Sequence, residues 1–129
     1  MTFKLKTFAT IALAAVVTVT CGSAPAMAQD RDSVETDLVT HAQAAQAATT
    51  AALAATNAGN TSESCSAMRT AVVEITQAEQ LAAQDKPLLE NDARLSDDER
   101  TAQRGQLAEL TTNLSNSHSR LNNLISERC

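Results

Sequence analysis

Hydrophobic residues recur at helical spacing in three stretches of the chain. The first predicted helix runs from about Asp32 to Asn57, and Gly59 follows as a C-terminal stop. From Leu38 onward its apolar stripe advances alternately by four and three residues, which puts the stripe on one helix face. The stripe consists of Val34, Leu38, Ala42, Ala45, Thr49, Ala52 and Thr56. Because most of these side chains are small, the face requires a close partner helix.

The second predicted helix runs from about Thr61 to Gln84. Asn60 offers a capping side chain and Glu63 follows three residues later, an arrangement that satisfies free backbone donors at a helix start. We expect Lys86-Pro87 to end this helix. Its apolar face is formed by Met68, Ala71, Val72, Ile75, Ala78 and Ala82.

The segment from Pro87 to Leu95 admits two interpretations. Its leucines lie among acidic and amide residues, and Pro87 is suited to the first turn of a helix. The segment is therefore either a short fourth helix near residues 87–95 or a loop that docks its leucines.

The third predicted helix carries the clearest local signal in the chain. Ser96 is followed by Glu99 three residues on, with acids in the first turn, as in a capping box. A seam with alternate spacings of three and four residues follows, which is typical of a coiled coil or a bundle helix. The seam comprises Leu107, Leu110, Leu114, Leu121 and Leu124, interrupted only by Ser117, and Gly105 weakens the helix before it.

These elements predict an all-α protein, an antiparallel three-helix bundle stapled by one disulfide. Cys65 lies in the first turn of the second helix and Cys129 ends the third, so an antiparallel pair brings them together. The third helix is longer than the second, and the two cysteines meet only if residues 85–96 continue along the bundle axis. In an exported protein two cysteines most often form a bridge, whereas a redox or metal pair would need a close-spaced motif.

The N-terminus predicts export. Two lysines without an acid precede an apolar run from about Phe8 to Val19, and Ala26-Met27-Ala28 stands before Gln29. This pattern is typical of a signal peptide over residues 1–28, cleaved to leave a single Ala-rich helical domain over residues 29–129. Lipidation at Cys21 fits the preceding residues poorly. We therefore expect a periplasmic or secreted protein without a membrane span after cleavage.

Composition narrows the range of partners. After cleavage eight lysines and arginines face fifteen acids, a net charge of −7, and such a surface repels nucleic acid and anionic membranes. Leu, Ile, Val and Phe make up only 17 of the 101 remaining residues, a value typical of disordered chains. Strong helix formers and a single remaining proline instead favour an Ala-rich bundle with close helix approach.

Candidate chemistry is sparse. His41 and His118 stand beside the centre of their helical stripes, and the repeated Glu and His positions of bundle metal sites are missing from the sequence. Haem held between Met68 and either histidine is the one cofactor arrangement that the residues suggest, but the predicted domain has no aromatic residue to wall a porphyrin. No hydrolase motif occurs, and Asp97, Asp98 and Glu99 are better explained as a solvated helix start than as a calcium site. We therefore predict neither an enzyme nor a cofactor.

Because enzyme, cofactor and nucleic-acid functions are disfavoured, we predict a protein-interaction module of the cell envelope. The leucine seam from Leu107 to Leu124 is the most apolar surface in the sequence, and a second copy or a partner protein would complete its core. In the alternative the second helix covers this seam and the protein is a monomer. The competing functional class is a carrier of a small ligand or cofactor built on a helical bundle.

Overall fold

The computed structural model describes residues 26–129, with side chains from residue 31 onward. Nearly all of the predicted signal peptide, including Cys21, therefore lies outside the described residues. Three helices make up the described chain, which contains no strand: α1 Ala26–Asn57, α2 Thr61–Glu90 and α3 Asp97–Arg128. They form an antiparallel bundle in which α2 packs along both other helices. The predicted all-α, disulfide-stapled three-helix fold is confirmed.

The turn from α1 to α2 is built around Gly59. This glycine has a positive φ of 76°, and its N–H donates to the Thr56 carbonyl at 3.1 Å while the Asn60 N–H donates to the Ala55 carbonyl at 2.8 Å. These two bonds form a Schellman motif, which satisfies carbonyls that the helix end leaves free. The Asn60 side chain then accepts from the Glu63 N–H at 3.1 Å and starts α2. Both predicted signals at this turn are confirmed.

The expected end of α2 at Lys86-Pro87 is wrong. The helix continues through Pro87 to Glu90, so residues 87–90 belong to α2 and no separate fourth helix forms there. Proline removes one backbone donor, but continuing the helix buries Leu89, which is 1% exposed. The Asn91 N–H and side-chain amide both donate to the Pro87 carbonyl and close the helix. The extended α2 supplies the axial rise that the cysteine geometry requires.

The start of α3 follows the predicted capping box. Ser96 accepts from the Glu99 N–H at 3.2 Å, and the Glu99 carboxylate accepts from the Ser96 N–H at 2.8 Å. Asp97 and Asp98 stand beside Glu99 in the first turn, where negative charge complements the helix dipole. This explains the acidic stretch as a helix start.

The core combines the leucines of α3 with small residues of the other two helices. Leu114 and Leu121 are fully buried, and alanines such as Ala45 on α1 and Ala78 on α2 are 0% exposed in the same cluster. Small side chains let α1 approach α2 closely, while the α3 leucines supply much of the apolar volume. All members of the predicted interaction seam are buried within this single chain, as is the interrupting Ser117: Leu107, Leu110, Leu114, Leu121 and Leu124. The seam is thus occupied by the chain's own core.

One end of the bundle is closed by a covalent bond. Cys65 and Cys129 form a disulfide that joins the first turn of α2 to the residue after α3, with Cα atoms 5.9 Å apart. The predicted pairing is present because α2 and α3 have nearly equal lengths, 30 and 32 residues, and run in opposite directions. This end is called the disulfide end below.

Candidate functional site

A groove lies between α2 and α3. It encloses about 530 Å³ toward the end of the bundle away from the disulfide. Its walls are largely apolar, because α2 contributes alanines and Leu89 while α3 contributes Leu107, Ala108 and Thr111. The Thr111 hydroxyl donates to the Leu107 carbonyl at 2.8 Å, so the hydroxyl proton is already used within α3. A molecule inside this α2–α3 groove would therefore make mainly apolar contacts and few hydrogen bonds.

Charged side chains stand at the margin of the α2–α3 groove. Lys86 and Arg104 line it, and the Arg104 guanidinium binds the Glu90 carboxylate through Nε at 2.6 Å and Nη2 at 2.8 Å. Glu79 lines the groove as well and contacts His118 Nδ1 at 2.5 Å. Lys86 thus contributes a positive charge at the margin, Arg104 is neutralised by Glu90, and Glu79 pairs with His118 at another part of it.

The two histidines link neighbouring helices through glutamates of α2. His41 on α1 contacts Glu74 at 2.5 Å, and His118 on α3 contacts Glu79 at the same distance. All four side chains are partly exposed. Met68, which sequence analysis paired with these histidines for haem, is 1% exposed within the apolar core. The residues described contain no group of three or more histidine, cysteine or acidic side chains that could hold a metal ion.

A buried ionic cluster lies at the end of the bundle opposite the disulfide. The Arg31 guanidinium on α1 binds Glu35 at 2.5 Å and Asp92 at 2.8 Å, and it also donates to Gln103 on α3. Its Nε stands 3.7 Å from Asp85 Oδ1 on α2, beyond hydrogen-bond distance. These two atoms have no hydrogen-bond partner within the described part of the chain. We call Arg31, Glu35, Asp85 and Asp92 the buried cluster; each of their side chains is at most 7% exposed.

An outer layer of charges supports the buried cluster. Arg94 binds Asp92 at 2.9 Å and also holds both carboxylate oxygens of Asp32, at 3.0 and 3.1 Å. Arg100 donates to the backbone carbonyls of Asp92 and Leu95 and so fixes the α2–α3 connection. The connection is therefore tied to the beginning of α1 by side-chain contacts.

Burial and pairing move the carboxyl pKa values of the cluster in opposite directions. Burial, together with the charge of Asp85, raises the pKa of Glu35 to about 7. Burial also raises the pKa of Asp85, although the charge of Arg31 opposes that rise. Hydrogen bonds from Arg94 and Arg31 instead hold the pKa of Asp92 well below its usual range. Glu35 and Asp85 thus form a carboxyl pair that favours sharing a proton, beside a carboxylate that stays charged.

The structure brings together only one set of the sequence-predicted site residues, Cys65 with Cys129. It places the leucine seam in the core and His41 and His118 in separate interhelical pairs. Sequence reasoning missed the buried cluster. Arg31 and Glu35 are four residues apart, and Glu35 lies one turn before Leu38 of the apolar stripe. Charged residues in line with the apolar stripe were therefore the sequence signal that could have indicated this cluster.

No protein-family model, no curated protein and no solved structure matches the chain. Within residues 26–129 no helix is both long enough and apolar enough to cross a membrane.

Proposed function

We propose that this protein is an exported, non-enzymatic interaction module whose α2–α3 groove receives a short apolar helix of a partner protein. The α2–α3 groove itself is the observation that carries the proposal, since the leucine seam is already covered by the chain's own core. Export rests on the pattern of residues 1–28, and the destination is the periplasm or the cell exterior.

The dimensions of the α2–α3 groove favour a helix as its occupant. On α2 it extends from Glu79 to Leu89, which corresponds to about 15 Å along the helix axis, or nearly three turns of a partner helix. Ala82, Ala83 and Ala108 are among its lining residues, and small side chains let a second helix approach closely. An apolar face docked into such a groove is a common mode of peptide recognition.

Charge complementarity specifies the partner further. Lys86 places a positive charge at the margin, beside the Arg104–Glu90 ion pair, in a chain that carries a net charge of −7 after the predicted cleavage. A partner helix with an acidic residue beside its apolar face would be attracted to this margin. The rest of this protein's acidic surface would repel the same helix. The complementarity favours a different protein over a second copy of this chain.

The remainder of the described surface supports a small interface. Val73 is the one large hydrophobic side chain that is strongly exposed among the described residues, at 58%. Extensive permanent interfaces require a larger apolar patch, so we expect a reversible complex centred on the α2–α3 groove.

A small-ligand carrier is the second candidate function, and one observation favours it. The groove volume of about 530 Å³ lies within the range of pockets that hold small organic molecules, about 300 to 1,000 Å³. An aliphatic molecule with a carboxylate would match the apolar walls and Lys86.

Site-specific photocrosslinking in the producing host distinguishes these functions. A benzophenone amino acid replaces Ala83 on α2 or Ala108 on α3, with Val73 as an exposed control outside the groove lining. We expect both groove positions to crosslink to the same segment of one protein, with helical apolar spacing and an acidic residue, and Val73 to give no such adduct. Equal adducts at all three positions, or none at the groove positions, would overturn the proposal. Small-molecule adducts at the groove positions alone would replace it with the carrier function.

A further inference from the structure

The buried side chains of residues 31–37, in the first turns of α1, are polar. From residue 31 to residue 37 the buried side chains of α1 are Arg31 and Glu35, and the next buried residue after them is the apolar Leu38. Both polar side chains belong to the buried cluster. Docking of these first turns therefore depends on the ionic contacts, while the apolar core holds α1 from Leu38 onward.

The buried cluster contains more acidic groups than it can hold in charged form at low cost. One buried guanidinium, Arg31, faces the three carboxyl groups of Glu35, Asp85 and Asp92. Asp92 receives further hydrogen bonds from Arg94, but Asp85 lies 3.7 Å from Arg31 Nε and has no hydrogen bond to it. An uncompensated buried charge is strongly unfavourable, so a shared proton between Glu35 and Asp85 is what makes their burial tolerable.

The groups that face this carboxyl pair come from every neighbouring element. On α1 these groups are Arg31 and Asp32, and on the α2–α3 connection they are Asp92 and Arg94. On α3 the neutral Gln103 lies beside Arg31, and Arg100 is bound to the connection. Of the three arginines, Arg94 is bound to two carboxylates and Arg100 to backbone carbonyls. Losing the shared proton therefore adds a negative charge beside a single arginine that is already bound to two carboxylates.

We infer that the Glu35–Asp85 pair is a proton-dependent latch that closes the first turns of α1 onto the bundle and releases them when its proton is lost. Release stays local, because the disulfide lies at the other end of the bundle and the leucine core lies between the two ends. Residues 31–37 move because none of them is a buried apolar residue. The latch stands independently of the proposed partner.

The direction of the pH dependence follows from linkage. The folded-state pKa of Glu35, about 7, lies above its ordinary value of 4.5, so the closed latch binds more protons than the open one between these values. Its contribution is complete below about pH 4.5 and is lost as the pH rises through 7. Asp92 acts oppositely, since its lowered pKa means that its contribution is lost as the pH falls below its ordinary value of 3.8. The latch is therefore tightest in mildly acidic solution.

Hydrogen exchange of the unreduced protein at pH 5 and pH 8 tests the latch, with exchange times scaled for the intrinsic rate at each pH. We expect protection of the amides at residues 33–38 to fall roughly 10- to 100-fold at pH 8, while the amides at residues 107–124 keep their protection. Glu35→Gln supplies an amide in place of the protonated carboxyl and should abolish the fall. Asp37→Asn, the same chemical change at an exposed position of α1, should leave it as in the unmodified protein.

Asp85→Asn is the second variant and should act like Glu35→Gln, so a folding defect in one variant leaves the test intact. Constant protection at residues 33–38 between pH 5 and pH 8 would overturn the latch. An equal fall throughout the chain would overturn it as well, and so would a fall that persists in a folded Glu35→Gln or Asp85→Asn protein.

Discussion

Removing the disulfide should lower the free energy of unfolding by an amount set mainly by the closed loop. Cys65 and Cys129 are 64 positions apart, and in the chain-entropy model a loop of this size contributes about 4 kcal/mol. Small domains typically have total stabilities of about 5–15 kcal/mol, so this contribution is a large share for a core built mostly from alanine and leucine. The corresponding fall in melting temperature is roughly 15 to 30 °C.

Three proteins make this prediction specific. Cys129 is exposed, so Cys129→Ala removes the bond with little loss of packing, whereas Cys65 is 6% exposed and Cys65→Ala also loses buried contacts. We therefore expect Cys129→Ala to cost about 4 kcal/mol and the double variant to cost at most about 1 kcal/mol more, because both break the same crosslink. Urea unfolding followed by circular dichroism measures these differences, and wild-type protein reduced beforehand should match Cys129→Ala.

A double variant that loses as much stability as the two single variants together would refute this reasoning, because one bond cannot be removed twice. A loss below about 1 kcal/mol on reduction would show that closing the loop contributes little to stability.

Three further substitutions test the fold. Leu114→Ala, at a fully buried position, should cost about 2–5 kcal/mol, whereas Val73→Ala, at a position 58% exposed, should change stability by less than about 0.5 kcal/mol; equal costs would contradict the placement of the leucine seam in the core. Gly105→Ala should raise stability by about 0.5–1 kcal/mol, since a Cβ there meets nothing within 4 Å inside α3, and a lower melting temperature would contradict this. Ser96→Ala should cost about 1 kcal/mol by removing the cap of α3, and unchanged thermal unfolding would show that the capping box does not stabilise the protein.

The sequence predicted what local patterns determine. The caps at Asn60 and Ser96 and the stop at Gly59 act within a few residues, so their side chains identify them without knowledge of the fold. The cysteine pairing was also predictable, because helix direction and rise are enough to place Cys65 near Cys129. The end of α2 was not, since burial of Leu89 overrides the local preference of Pro87.

The candidate sites depend on contacts that no local pattern contains. Arg31 and Asp92 are 61 positions apart, and the register of all three helices decides that they meet. The leucine spacing of the α3 seam is the same whether the seam packs against another chain or against α1 and α2 of its own chain. The α2–α3 groove arises from the way small and large side chains combine across two helices, so neither helix alone predicts it.

Mass spectrometry of the unreduced protein, crosslinked to its contacts in the envelope and medium of its own host before isolation, tests the central proposal most directly. The comparison is with Ala108→Arg, which puts a large charged side chain at an exposed position of the α2–α3 groove. We expect a chain that begins at Gln29 and is two hydrogens lighter than the reduced chain, because of the disulfide. We expect this chain to carry one partner protein, and the Ala108→Arg protein to lose that partner while staying folded. A partner-free chain in both proteins, or a complex that survives Ala108→Arg unchanged, would contradict it.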